Sequence, residues 1–429
     1  MKRAILILIT GLITSLFLFP FNLPVSITVN TKLIISAFGV VLFIFDKIKT
    51  GGPIISREFL VLSLICAIIS IWAFFITVVN GTSDYAFARY LISVWIWLGG
   101  AYAVVWLIKA VHGRISVEVI GNYMIAVCVA QCLLAYSMTI WPSLGRFVDS
   151  LMGEGQAYMS ATENRLHGLG AALDPAGLRF SAVLVILAVI ASNTDADSHI
   201  LKSILYFISF VIIVVFGNMI SRTTTVGAAM SIMCFIVLKW PKKGVVYFDR
   251  TWRVIGIGLL LAVVFSTFLY KSDISFRNNI RFGFEGFFSL VEKGRWDVSS
   301  NEILKGLIVW PESLKTWIIG DGFFDNPKDI PDRFGQLYGG FYMKTDIGYL
   351  RYIFYFGCIG LVGMIVACAY ITKTCIRELK GYSLMFFSLF LITLIGWLKV
   401  SSDVIMVFAP FLVLAYIQDD ESVANQETV

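Results

Sequence analysis

Residues 200–240 read ILKSILYFISFVIIVVFGNMI, then SRTTT, then VGAAMSIMCFIVLKW. Two apolar runs, each close to the roughly 20 residues that a helix needs to cross a hydrocarbon core, flank a turn of a few polar residues. With no water in a bilayer core, backbone groups must pair within their own segment, so such runs are read as helices. The turn carries Arg222 and thereby fixes a guanidinium near headgroup depth.

The same pattern recurs along the chain. Apolar windows fall at 4–22, 31–46, 58–80, 90–109, 116–141, 176–193, 200–219, 223–240, 252–270, 346–371, 381–399 and 402–418, giving about twelve expected spans. Of 429 residues, 58% are apolar and 14% charged, against about 25% charged in soluble domains. This composition excludes an ordinary soluble enzyme, a disordered chain, a collagen and a disulfide-rich secreted module. The expected fold is all-α, a polytopic integral membrane protein. Seven cysteines without a CxxC and only three histidines offer no metal-ligand set, and no cofactor motif (P-loop, GxGxxG or HExxH) is present. A net charge of +6 is small for this length and by itself says nothing of nucleic acid; the apolar runs make the lipid bilayer the expected partner, and nucleic acid is not expected.

Lysine and arginine set the expected orientation. Sixteen of them, from Lys2 and Arg3 through Lys239, Lys242, Lys243 and Arg250 to Lys373, Arg377 and Lys380, fall on one set of span ends. Seven fall opposite, the long loop apart: Lys32, Arg89, Arg146, Arg165, Arg179, Arg222 and Lys399. An even number of spans then places both termini in the cytoplasm. The first span follows Lys2 and Arg3 without a small-residue cleavage site and is read as a retained anchor. The organisation expected is spans one to nine in 1–270, a large outer loop at 271–345, spans ten to twelve in 346–418, and an unstructured cytoplasmic tail at 419–429. In the loop, Ile274, Phe276, Ile280, Phe284, Phe287 and Phe288 recur at helical spacing against Arg277, Arg281 and Glu285, the pattern of an amphipathic interfacial helix. A second such stretch is expected from Ile303 to Ile319, closing on Gly320-Asp321-Gly322.

Ionisable groups at a membrane edge are costly and call for a functional reading. Arg89, Arg165, Arg179 and Arg222 all stand on the outer side beside apolar spans. A planar, permanently charged fork suits bidentate phosphate binding, and several on one face suit a lipid-linked pyrophosphate; the plain alternative is snorkelling to headgroups. Arg222 and Arg179 stand at helix starts, where free N–H groups also favour an anion. Among the outer carboxylates, Asp346 opens span ten and either caps that helix or accepts a proton from a substrate hydroxyl. Glu285 and Tyr342 are weaker candidates for that role.

The order of these features resembles the Wzy-type O-antigen polymerase and O-antigen ligase superfamily. The resemblance rests on an arginine-bearing outer loop (Arg165-Leu-His-Gly-Leu-Gly, then Asp174-Pro-Ala-Gly-Leu-Arg179) and on Ser221-Arg222-Thr223 opening a span. It rests also on the large late loop, from Ile319-Gly-Asp-Gly-Phe-Phe to Thr345-Asp-Ile-Gly-Tyr-Leu, and on Phe356-Gly-Cys-Ile-Gly-Leu. The resemblance implies a glycosyltransferase of the bacterial inner membrane, working at the periplasmic face on undecaprenyl-pyrophosphate-linked glycans without cofactor or metal. It implies pyrophosphate binding by Arg222 and by Arg165, Arg179 and Arg89, with Asp346, Glu285 or Tyr342 as the catalytic group. It further admits a polysaccharide chain-length regulator as a partner. Ligases of this superfamily carry a histidine at the end of the late loop. Residues 271–345 contain none, which favours a polymerase. Rival readings are a ligase, a lipid-linked glycan flippase and a cell-wall glycan polymerase; the absence of an internal repeat and the outer-edge placement of the charges speak against a transporter.

Overall fold

The computed structural model describes residues 2–24, 29–50, 55–153, 165–194, 200–239, 263–327, 340–402 and 404–427. Helices occupy Lys2–Leu18 (α1), Thr31–Thr50 (α2), Arg57–Asn80 (α3), Tyr90–His112 (α4), Val117–Ile140 (α5), Pro142–Ser150 (α6), Leu173–Asn193 (α7), Ile200–Ile220 (α8) and Thr224–Lys239 (α9). The chain continues with 263–272 (α10), Ile274–Gly283 (α11), Glu285–Lys293 (α12), Ser299–Gly306 (α13), Leu314–Ile318 (α14), Gly348–Glu378 (α15), Ser383–Gly396 (α16) and Ile405–Glu427 (α17). Two isolated bridges, Asn22 to Asn30 and Asp325 to Phe341, are the extended pairings among the described residues.

Among the described residues, six helices are long and apolar enough to cross a membrane: Arg57–Val79, Tyr90–His112, Val117–Ile140, Leu173–Asn193, Ile200–Ile220 and Gly348–Glu378. Thr224–Lys239, Ser383–Gly396 and Ile405–Gln418 are shorter apolar helices. The expected first and second spans are helical but fall outside both sets. The first has 17 residues, and the second carries Lys32, Asp46, Lys47 and Lys49. The expected span 252–270 lies largely outside the described residues.

Helix α7 is the centre of the bundle. Every residue from Phe180 to Ile190 is buried, and α5, α8, α9 and α16 pack around it. The outer helices keep large side chains exposed, among them Leu8, Ile48, Ile68, Leu201 and Val362, as lipid-facing surfaces must. Lipid tails are as apolar as leucine, so close backbone approach decides which helices pair. A Cβ on Gly227 of α9 would lie 2.1 Å from Ser181 Cα of α7, and one on Gly39 of α2 would lie 1.8 Å from Gly99 O of α4.

The long helix α15 breaks at Phe356-Gly357, where Gly357 takes φ 70°. A break in an apolar helix frees carbonyls that must find donors. Each finds one: Asp321 N donates to Phe354 O (2.6 Å), Gly322 N to Tyr355 O (3.0 Å) and Trp72 Nε1 to Phe356 O (2.9 Å). The Gly320-Asp321-Gly322 segment is thus plugged into the kink. Only glycine fits at 357, because Ile318 O stands 2.0 Å from where a Cβ would be.

The late loop differs from expectation in detail. The first amphipathic stretch is two helices, α11 and α12, parted at Phe284. Phe276 is buried against Tyr136 and Phe216, while Ile274 and Phe287 remain exposed. The second stretch is not one helix. It breaks into α13 and α14 around Trp310-Pro311, because proline lacks an N–H and pushes the residue before it out of the helical region. Trp310 stacks on Trp317 instead, and Trp317 Nε1 donates to Pro311 O (3.0 Å). The tail expected to be unstructured continues α17 as helix to Glu427.

Candidate functional site

Asp174, in the first turn of α7, organises the turn between α8 and α9. Its Oδ1 accepts from Ser221 Oγ (2.9 Å), Thr223 Oγ1 (2.7 Å) and Lys399 Nζ (2.8 Å). The residues on either side of Arg222 are therefore tied to one carboxylate oxygen. Asp174 also stands at a helix N-terminus, where a negative charge is favoured.

Arg222 extends from this clamped turn to the late loop. Its Nε donates to Phe282 O (2.9 Å) and its Nη2 pairs with Glu285 Oε2 (2.8 Å). The guanidinium lies over the Phe282 ring, 4.1 Å from the centroid, and Arg165 lies over the same ring at 4.9 Å. Two sequence-expected arginines, 117 and 60 residues from Phe282 in the chain, are thus gathered on one phenyl ring. Burial lowers the Arg222 pKa from the ordinary arginine value, the Glu285 carboxylate opposes that fall, and Arg165 adds to it. The guanidinium stays cationic, with its side chain 14% exposed.

A cleft of about 220 Å³ opens beside this group, lined by Leu178, Arg222, Thr223, Glu285, Trp296 and Lys399 among others. A second cleft of about 570 Å³ shares Arg222 and Glu285 and adds Arg281, Glu292 and Lys293. An apolar groove of about 560 Å³ runs between α8, α10 and the α11–α12 pair. It shares Phe284 with the first cleft and Phe288 with the second. The two polar clefts and the apolar groove thus flank the same pair of phenylalanines.

The other expected arginines are not brought to this point. It is Leu178, not Arg179, that lines the first cleft, since successive helix residues point about 100° apart. Arg179 lies over Phe19 (5.8 Å) with Nη2 4.0 Å from Met406 Sδ. Arg89 is exposed at the start of α4 and lines neither cleft. Its loop instead supports the late loop: Asp84 Oδ2 accepts from Phe324 N (2.8 Å) and Asp325 N (3.3 Å).

The three candidate catalytic groups have different environments. Glu285 is committed to Arg222 and also accepts from Ser299 Oγ (2.9 Å) and Ser299 N (3.2 Å). Tyr342 Oη donates to Asp321 Oδ2 (3.5 Å), and burial pushes its pKa up to about 12, so at neutral pH it is a donor. Asp346 precedes α15 by two residues. The cap position there is Ile347, with no side-chain cap hydrogen bond, so the capping role is not the one seen. Asp346 Oδ1 is buried with no hydrogen-bond partner. Burial raises its pKa and Asp174 adds to the rise, while Lys399 and Arg351 oppose it.

Arg351 is the group that sequence reasoning missed. Its side chain, 5% exposed, pairs with Asp325 Oδ1 (2.8 Å) and donates to Ser401 Oγ (2.8 Å) and Phe324 O (3.1 Å). The guanidinium lies between Phe324 (3.5 Å) and Phe341 (4.0 Å). The signal was present, a charge one turn inside an apolar run. Arg351 Nε and Thr345 Oγ1 are, like Asp346 Oδ1, buried without a partner. Unsatisfied buried polar atoms are costly in a native structure and call for an explanation.

Compared with protein-family models, with curated proteins and with solved structures, the chain shows no significant match. Its function is read from this geometry and from the residues.

Proposed function

We propose that the chain is a membrane glycosyltransferase that polymerises undecaprenyl-pyrophosphate-linked repeat units into a surface polysaccharide. In this reading it crosses the bacterial inner membrane about twelve times with both termini cytoplasmic, and works at the periplasmic face without cofactor. The observation that supports it most is the joint placement of Arg222 and Arg165 on Phe282, with Arg222 lining a cleft that shares Phe284 with an apolar groove. That arrangement suits a dianionic headgroup carried on an isoprenoid chain.

Chemically, the hydroxyl at the non-reducing end of one lipid-linked unit attacks the anomeric carbon of another. A carbon–oxygen bond forms, the bond from that carbon to the pyrophosphate oxygen breaks, and direct displacement inverts the anomeric centre. The leaving polyprenyl pyrophosphate keeps the bonding electrons and is stabilised by Arg222 and Arg165. The hydroxyl proton passes to Asp346, whose raised pKa brings it nearer the ideal for a base at neutral pH. Glu285 orients Arg222, and Tyr342 donates a hydrogen bond. Helices α11 and α12 roof the cleft and exclude water, which would otherwise hydrolyse the donor. A chain-length regulator is the expected protein partner.

The test is the size profile of surface polysaccharide in a strain lacking the gene. Loss of the long ladder with a single repeat unit retained supports polymerisation. Loss of every unit would point to a flippase or ligase, and an unchanged profile would remove this product from consideration.

A further inference from the structure

Resting on the reading of the cleft as a pyrophosphate site, the geometry points to Lys399 as its further binding residue, a cation parked on Asp174 and delivered to the ligand. Nothing in the sequence singled Lys399 out beyond its side of the membrane. Three observations carry the inference.

Lys399 lines the same cleft as Arg222, although some 177 residues separate them in the chain. It stands in the turn that closes α16, and Tyr349 N donates to Trp397 O (3.1 Å), which fixes that turn against the start of α15. Its Nζ therefore sits on a rigid base but at the end of a flexible four-carbon stem, with the side chain 27% exposed.

The charges around the ligand also favour it. A lipid-linked sugar pyrophosphate carries two negative charges. Arg222 and Arg165 supply two positive charges, but Glu285 at 2.8 Å cancels one. Lys399, once turned from Asp174, places a further cation directly on the phosphate, while Asp174 keeps its two hydroxyl donors.

Asp174 is built to let it go. The Oδ1 that accepts from Lys399 also accepts from Ser221 and Thr223. When Lys399 departs, the carboxylate retains two hydroxyl donors, and the turn that carries Arg222 keeps its anchor. A lysine that served only to neutralise Asp174 would have no reason to line the cleft.

The experiment measures binding of farnesyl pyrophosphate and of inorganic pyrophosphate to the purified full chain in detergent by titration calorimetry. Lys399→Met weakens both at least tenfold, and Lys399→Arg recovers most of the loss. Because Lys399→Met also strands a partly buried carboxylate, the deciding variant is Lys399→Met combined with Asp174→Asn, in which the amide oxygen still accepts from both hydroxyls. Binding that stays weak in the double variant supports a direct contact from Lys399 to the anion. Binding that returns to the wild-type level overturns the inference and leaves Lys399 as a counterion of Asp174. Binding lost in Arg222→Ala but unchanged in Lys399→Met also overturns it, while the reading of the cleft stands. A wild-type chain that binds neither probe removes that reading itself and the inference with it.

Discussion

Arg222 Nη2 and Glu285 Oε2 lie 2.8 Å apart, joining the turn between α8 and α9 to the second helix of the late loop. The pair ties the helix bundle to the late loop and occupies one edge of the guanidinium, the edge offered to phosphate in the proposed function.

Glu285→Gln removes the charge but keeps an oxygen for Ser299. Chain extension is expected to persist at a several-fold lower rate, because Arg222 loses its orienting partner while the phosphate loses a competitor. In vitro extension with a lipid-linked repeat unit checks this. A variant as inactive as Arg222→Ala would instead give Glu285 a role in the chemistry.

Asp346→Asn is expected to abolish extension and raise thermal stability together. The native pKa of Asp346 is raised, chiefly by burial, so the folded state binds more protons than the unfolded state over the range between the two pKa values. Stability from this group therefore falls as pH rises through that range, and the cost is carried by the charged form above it. Asparagine has no charge to desolvate and escapes the cost. Thermal unfolding in detergent at neutral pH reads the gain. The wild-type rate should rise with pH along a limb displaced upward from that of an ordinary aspartate. A variant with normal chain length would reduce Asp346 to a structural residue.

Trp72→Phe deletes the donor to Phe356 O at the break in α15. An unpaired buried carbonyl costs about 1–3 kcal/mol, so the unfolding midpoint should drop by several degrees while the protein still accumulates. Gly357→Ala should be worse, since Ile318 O blocks the Cβ and the required φ is positive; thermal unfolding ranks the two. Equal effects would deny the kink its role in seating the Gly320–Gly322 segment.

The helices were legible because apolar runs in a bilayer admit few other structures, and the boundaries of α3, α4, α5 and α8 lie within three residues of expectation. The Ser221-Arg222-Thr223 turn was legible for the same reason. What depended on long-range contact was not. Phe282 belongs to no pattern in the sequence, yet it collects Arg222 and Arg165. Asp174 was one carboxylate among several until Ser221, Thr223 and Lys399 met on its Oδ1. The break at Trp310-Pro311 was available from proline chemistry but was overridden by the amphipathic spacing around it. Arg351 carried no reading in the sequence, and its burial comes from Phe324 and Phe341, which lie on opposite sides of residues 328–339 in the chain.

The most direct test of the central claim uses liposomes holding the purified chain and a lipid-linked repeat unit as sole substrate. The wild-type protein should lengthen the glycan and release one polyprenyl pyrophosphate per bond formed. Arg222→Ala should do neither at equal protein level, Arg222→Lys should be strongly impaired because a point charge does not reproduce the fork, and Arg165→Ala should fall between them. Glycan growth by Arg222→Ala at the wild-type rate would contradict the account.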